Sequence, residues 1–473
     1  MLIWCTLAVS LLFAGAALAA TDGTAWCGDP DAVQSKDNPY VKLAEHNVTR
    51  ALMHPDAFWL VWGYAAPESA RRGDAKLRER AVAEMAALVK RLEDKPSGYW
   101  DVLPALEAIR ILKRYPDFST ALADEWLAKL KPSVQANYDT NAKEEEWMTV
   151  APNALHQSAA ILQLASQLYN EPRYTEMAHK LIRVTATYQE PDGAFRYIRN
   201  SGPVQVYYGF DSTFLGRYYQ LSRDPLAKEM LVKLANYSRD VLANGLIESS
   251  STPWWKHHWS TGGPLHGVEI VAGVSRDPLT RAVAEYRLAG GQPYYFAYYA
   301  MYCWDPTISK ATLAPDLCRY NTNIAGPQIR VGSLQAVMPG KAYADTGIGC
   351  TVVTGKKPFA YDGYLETAAL PVLGKGVTDP YHRPDSLITA SPEELNTRAS
   401  LVGPGWIASG WTFQPRQPFF GDATPPAARG WRLAQLWFAD ANGLGGWITA
   451  TCQAKSPVLA GPRGYLSLGH PIE

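Results

Sequence analysis

A helix, a tight turn and a second helix follow one another three times between Gly98 and Leu242, and this rhythm constrains the fold more than any other feature of the chain. The three segments are GYWDVLPALEAIRILKRYPDFSTALADEWLAKL, WMTVAPNALHQSAAILQLASQLYNEPRYTEMAHKLIRVTATY and YYGFDSTFLGRYYQLSRDPLAKEMLVKLANYSRDVL. In each, apolar residues recur three and four positions apart, as on a helix with one buried stripe. The connections, RYPDFS, YNEPR and SRDPL, are short and rich in turn formers, so the second helix must run back along the first. The unit is roughly fifty residues long, among the lengths found in helical-hairpin arrays. The first helix of each pair is smaller and more apolar, and the second carries more charge. That asymmetry predicts an inner and an outer ring: an α/α toroid fits, and an open solenoid is the alternative.

Further helices extend the pattern. The expected set is Leu43–Met53, Asp74–Leu92, Trp100–Arg114, Thr120–Lys131, Thr149–Leu168, Glu171–Tyr188, Gly209–Leu221, Pro225–Ala243 and Thr280–Leu288. After about Asp305 the period changes. RVGSLQAVMPG, TGIGCTVVTG, WRLAQLWFAD and GGWITATCQA are short, rich in Val, Ile, Thr, Trp and Phe, and bounded by turn residues, as antiparallel strands are. ADANGLGGW adds an Asn-Gly hairpin signal between two of them. The fold class expected is α+β multidomain, with a helical toroid over residues 21–305 and an antiparallel β-sandwich-like domain over 306–473.

Residues 1–20 carry no charge and end in Ala17-Leu18-Ala19, which reads as a secretory signal peptide, with an uncleaved anchor as the alternative. No second run of spanning length follows, so the mature chain is expected to be secreted or periplasmic, without a membrane span. Five cysteines follow the leader; Cys303 with Cys318, and Cys350 with Cys452, are the pairings guessed, leaving Cys27 free. The chain has 45 Lys plus Arg against 45 Asp plus Glu. A nucleic-acid partner, which calls for a basic excess, is therefore not expected. The 16 Trp and 26 Tyr suit either a large aromatic core or stacking against sugar faces.

In a toroid the inner helices point one set of ends at a central cleft. Three inner helices begin with unusual polar residues: Trp100 and Asp101; Asn153 and His156; Tyr207, Tyr208 and Asp211. Asn153 and His156 stand three apart and share a helix face. DGAFRYIRNSGPVQVYYGFD places Arg196 and Arg199 in a loop between the second and third of these helices. PWWKHHWSTGGPLHG brings Trp255, His257, His258 and His266 together, and GQPYYFAYYAMYCW brings Tyr294 and Tyr295. Each has an ordinary structural reading: a satisfied core histidine, a surface ion pair, an aromatic wall. What favours function is that Asn, His, Arg and Tyr all fall on one predicted end. No zinc-type histidine spacing is present, so no metal is expected.

At these residues the chain resembles the exported polysaccharide lyases that carry an α/α toroid and a C-terminal β-sandwich domain, such as alginate, heparinoid and glucuronan lyases. That resemblance implies a uronic-acid-containing polysaccharide as substrate, cleaved by β-elimination without a cofactor. It also implies that Asn153 and Arg199 hold the substrate carboxylate, that His156 or His258 serves as base or neutraliser, and that Tyr207 or Tyr208 transfers protons. Trp100, Asp101, Arg196, Trp255, His257, His266, Tyr294 and Tyr295 would line the substrate path. The residue types suit the chemistry. The C5 proton of a uronate becomes acidic only when the neighbouring carboxylate is neutralised, and a base and an acid must then reach C5 and the C4 oxygen. Two other readings stay open: a glycoside hydrolase on the same toroid using Asp101 and Asp211, and a non-catalytic glycan-binding protein.

Overall fold

The computed structural model describes residue 33, residues 37–96, 100–143, 151–196, 205–243, 246–247, 267–288 and 296–311, and strand segments between Leu317 and Leu468. The proposed signal peptide lies outside the described residues. The helices are α1 (Pro39–Ala51), α2 (Ala57–Ala65), α3 (Ala75–Asp94), α4 (Val102–Arg114), α5 (Thr120–Asn141), α6 (Pro152–Tyr169), α7 (Pro172–Ala186), α8 (Gln205–Ser222), α9 (Pro225–Val241), α10 (Gly267–Ser275), α11 (Pro278–Leu288) and α12 (Phe296–Met301).

Local chemistry sets their ends. Asp56, Asp74 and Ser119 each accept a hydrogen bond from the backbone N–H three residues on, at Trp59, Leu77 and Leu122, and so satisfy one of the orphan donors at a helix start. Asn170 closes α6 in the left-handed conformation with φ 55°. The helix α5 runs past the expected stop at Lys131 and through Pro132. Its second half is held by burial: Ser133 Oγ donates to the Leu92 carbonyl at 3.2 Å, and Asn137 Nδ2 donates to Ser158 Oγ at 3.2 Å. That packing outweighs the one backbone bond that proline removes.

The helices form two layers. α2 packs on α4, α4 on α6, α6 on α8, α8 on α10 and α10 on α12. The outer layer runs α3, α5, α7, α9, α11, each beside the next. α1 touches both α2 and α12, and Asn38 Nδ2 donates to the Met301 carbonyl at 2.7 Å, so the ring closes rather than continuing as a solenoid. Close contact between inner helices depends on glycine: a Cβ on Gly273 would stand 2.3 Å from the Cys303 carbonyl oxygen.

At mid-height a buried ion pair links two inner helices. Arg217 of α8 reaches Glu107 of α4 with Nε at 2.6 Å and Nη2 at 2.7 Å, both residues fully buried. Arg217 also donates to Gln220 at 2.9 Å and lies over the rings of Tyr298 and Tyr299. A second buried pair, Arg281 with Glu269, takes a hydrogen bond from the Tyr40 hydroxyl at 2.9 Å and ties α1 to α10 and α11.

Beyond Met301 the described elements are strands. One antiparallel sheet has the order Arg463–Leu468, Tyr364–Leu370, Ile348–Val353, Leu334–Val337, Gly326–Val331, Leu317–Asn321. A second has the order Ala399–Gly403, Trp406–Phe413, Trp431–Asp440, Gly443–Cys452, and it packs against the first. The expected hairpin is present, with Asp440 in register with Gly443. One cysteine expectation is corrected. Cys303 is disulfide-bonded while Cys318 is free, so these two do not pair. Cys318 Sγ instead lies 3.2 Å from the Gly403 carbonyl, between the two sheets, whereas Cys303 sits in the helical core. The side chains of Cys27, Cys350 and Cys452 lie outside the described residues. No described helix is long and apolar enough to cross a membrane.

Candidate active site

The N-terminal turns of α6 and α8 place the central pair. α6 and α8 are packed neighbours of the inner layer, and each follows an outer helix, so the two run parallel with their starts at one end of the ring. His156 is the fifth residue of α6 and Asp211 the seventh of α8, so their side chains meet at one height. His156 Nδ1 lies 2.9 Å from Asp211 Oδ1, with His156 0% and Asp211 3% exposed. A carboxylate can only accept, so the Nδ1–H of His156 donates to Asp211 and Nε2 is turned away from it. Nε2 is buried and has no hydrogen-bond partner among the described residues. One turn earlier on the same face, Asn153 Oδ1 is in the same condition. A buried polar atom without a partner costs about 1–3 kcal/mol. Two of them one turn apart on one helix face make this the candidate site.

Electrostatics reinforce the pair. Burial raises the Asp211 carboxyl above the usual carboxylate range, and the hydrogen bond and charge of His156 oppose that rise. Phe195 covers the imidazole edge-to-face with ring centroids 4.9 Å apart. It is held there by the turn after α7, where Gln189 bridges Phe195 and Gly193 adopts φ 96° against the Lys233 carbonyl. A side chain at Gly193 would meet that carbonyl at 1.9 Å, so only glycine makes this turn.

The other expected residues divide. Trp100 is half exposed at the start of α4, packed on Phe210 at 5.4 Å and Phe214 at 6.2 Å, and Tyr207 lies 6.1 Å from Phe210. These rings form an aromatic shelf joining the α4 and α8 starts. Tyr208 points elsewhere: it is buried, and its hydroxyl shares a hydrogen bond with Ser238 of α9. Asp101 is exposed and pairs with Arg91 of α3 at 3.2 Å. Arg196 pairs with Glu190 on the turn after α7. Arg199, Trp255, His257, His258, His266, Tyr294 and Tyr295 lie outside the described residues. Among the described residues no group of three or more His, Cys, Asp or Glu could hold a metal ion.

The bond between His156 and Asp211 was missed at the sequence level. In the sequence Asp211 stands out as a polar residue at an inner-helix start and as an acid of the hydrolase reading, not as a partner of His156. Its signal was its height: both residues fall in the first two turns of successive inner helices. The pair carries a direct test. Asp211→Asn is expected to lower kcat by about 10²-fold or more, because an amide that donates to Nδ1 would move the imidazole proton onto Nε2. Since burial raises the Asp211 carboxyl, it takes up a proton at higher pH than an exposed aspartate. The acid limb of the rate profile should therefore begin above about 4, the ordinary aspartate value. A rate for Asp211→Asn equal to that of the unaltered protein would refute the role.

No protein-family model matches the chain, and no curated protein matches it. Solved structures do. The Streptomyces coelicolor A3 chondroitin AC lyase, in complex with chondroitin sulphate, aligns with TM-score 0.53 and 12% identity over 85% of this chain and 65% of that one. A chondroitinase AC lyase solved as enzyme–oligosaccharide complexes aligns with TM-score 0.49, 12% identity and coverage of 90% and 66%. An unsaturated glucuronyl hydrolase specific for heparin aligns with TM-score 0.39, 12% identity and coverage of 56% and 94%. This chain thus spans 65% of the length of the first of these. At such identity the likeness is one of architecture: the chain shares the α/α toroid fold of the Streptomyces coelicolor lyase.

Proposed function

We propose that this chain is a polysaccharide lyase that cleaves a uronic-acid-containing polysaccharide, of glucuronan or alginate type, by β-elimination. The observation that carries the reading is the buried Asp211–His156 pair, which leaves Nε2 unpartnered beside the unpartnered amide oxygen of Asn153. The toroid shared with a chondroitin AC lyase supports an acidic glycan as the substrate class.

In this scheme the Asn153 Nδ2 group and Arg199 donate to the substrate carboxylate and stabilise the charge that develops as C5 loses its proton, while Asn153 Oδ1 accepts from a sugar hydroxyl. His156 Nε2 takes that proton. The C5–H electrons form the C4–C5 double bond, the bond from C4 to the bridging oxygen breaks, and the Tyr207 hydroxyl protonates the departing oxygen. Asp211 stabilises the imidazolium that results. Tyr207 is preferred over Tyr208, whose hydroxyl is engaged with Ser238 in the core. Trp100 offers a half-exposed ring on which a sugar can stack. Phe195 packs edge-to-face on the imidazole and so bounds one side of it. The leader at residues 1–20 would direct the chain out of the cytoplasm, where such polymers are met.

The hydrolase reading needs two carboxylates facing one glycosidic bond. Asp211 is engaged by His156, and Asp101 is paired with Arg91. Neither arrangement favours that reading. The test is a panel of glucuronan, alginate, hyaluronan, heparin, chondroitin and pectate, followed by ultraviolet absorbance and by a reducing-end assay. Elimination raises both signals on one polymer. New reducing ends without absorbance would replace the lyase with a hydrolase, and silence in both would leave a glycan-binding protein.

A further inference from the structure

At the opposite end of the ring from His156 lies a cavity of about 230 Å³ lined by Arg72, Arg110, Arg114, Tyr298 and Tyr302. It is formed by the last turn of α4, the residues that follow α2, and α12. Counting from the start of α4, where Trp100 and Asp101 stand, to its end at Arg114 gives about 18 Å at 1.5 Å per residue. The cavity is therefore separate from the proposed catalytic end.

Three guanidinium groups around one small cavity are more than a helix end asks for. The terminal carbonyls of α4 attract a cation near Arg114, worth typically 0.3–1 kcal/mol. Arg110 is different, being only 6% exposed. It stands 3.6 Å from Glu107, whose two oxygens are taken up by Arg217 at 2.6 and 2.7 Å. Its guanidinium is thus held in place from behind while it lines the cavity. Arg72 is steadied on the Tyr115 ring, 5.1 Å from its centroid. Burial raises the phenols of Tyr298 and Tyr302, whose hydroxyls hydrogen-bond to each other on the cavity wall. Two carboxylates stand near these cations: Glu107, 3.6 Å from Arg110 and already engaged by Arg217, and Glu68, which feels the charge of Arg72 while burial raises its carboxyl.

We propose that this cavity binds a small oxyanion of the sulfate or phosphate class, free or carried on a sugar, through Arg72, Arg110 and Arg114. The geometry of a guanidinium fork matches such tetrahedral groups, and the cavity is smaller than the sites that take drug-sized ligands, about 300–1,000 Å³. This second site does not depend on the lyase reading.

The test is a calorimetric titration of the full chain with sodium sulfate, sodium phosphate and glucose 6-sulfate, against sodium chloride at matched ionic strength, with the variant Arg72→Gln/Arg114→Gln in parallel. Both replaced side chains are exposed, so the fold should survive, which its circular dichroism would verify. The expected result is saturable binding of at least one oxyanion, weakened tenfold or more in the double variant and absent with chloride. Binding by glucose 6-sulfate alone would identify the carried form, and binding by the inorganic salts the free one. No saturable binding of any of the three, or equal binding by the double variant, would overturn the proposal. Neither outcome bears on the absorbance assay for elimination.

Discussion

Replacing His156 with alanine should lower kcat on the best uronate polymer by about 10²–10⁴-fold, the range a positioned general base supplies. The loss should fall on kcat more than on KM, because in the proposed scheme the imidazole takes the C5 proton while Asn153, Arg199 and the aromatic shelf hold the polymer. Two structural effects accompany the change. Asp211 loses its hydrogen bond with His156, and a small cavity opens under Phe195. Because burial already raises the Asp211 carboxyl, it can take up a proton rather than remain a lone buried charge, which limits the cost to folding. The thermal midpoint should therefore drop modestly while turnover nearly vanishes. A His156→Ala protein with full turnover would remove the site from consideration.

The largest stability effect is expected at the ring axis. Arg217→Met leaves Glu107 buried with its bidentate partner gone, and breaking such a pair costs about 3–5 kcal/mol. Burial works against the Arg217 charge, but Glu107 together with Tyr298 and Tyr299 more than offsets it, so the guanidinium is firmly charged in the folded chain. The second replacement, Glu107→Gln together with Arg217→Met, removes the stranded charge and should recover a good part of the loss. Denaturant midpoints followed by helical ellipticity measure both. If Arg217→Met alone stayed within about 1 kcal/mol of the unaltered protein, the pair would not be a principal tie between α4 and α8.

The sequence exposes the outer architecture more fully than the inner. Helices with one wet face, such as α3, α7 and α9, have a clear three-to-four period and were placed within a few residues. The helices α2, α10 and α12 were not anticipated. The residues of α10 are buried but for its last, and those of α2 are buried but for its first, so neither has a polar face to generate a period. FWLVWGYA and GVEIVAGVS read as apolar runs, which a helix and a buried strand share. At the candidate site, the sequence made Asn153 and His156 conspicuous because polar side chains interrupt an apolar helix. It could not show which carboxylate His156 meets, since 55 residues separate it from Asp211 and only the stacking of parallel inner helices brings them level. It also could not separate Tyr207 from Tyr208. Adjacent helical residues point about 100° apart, and only the packing of α8 on α9 turns Tyr208 toward Ser238.

The most direct test of the central claim is digestion of the best polymer in heavy-oxygen water, with the fragments weighed by mass spectrometry. Elimination breaks the C4–O bond without adding water, so every new non-reducing end should be lighter by one water than a hydrolytic end, and no heavy oxygen should enter during cleavage. Fragments at the full hydrolytic mass, carrying one heavy oxygen per cut, would contradict the assignment of His156 and Asp211 to a lyase.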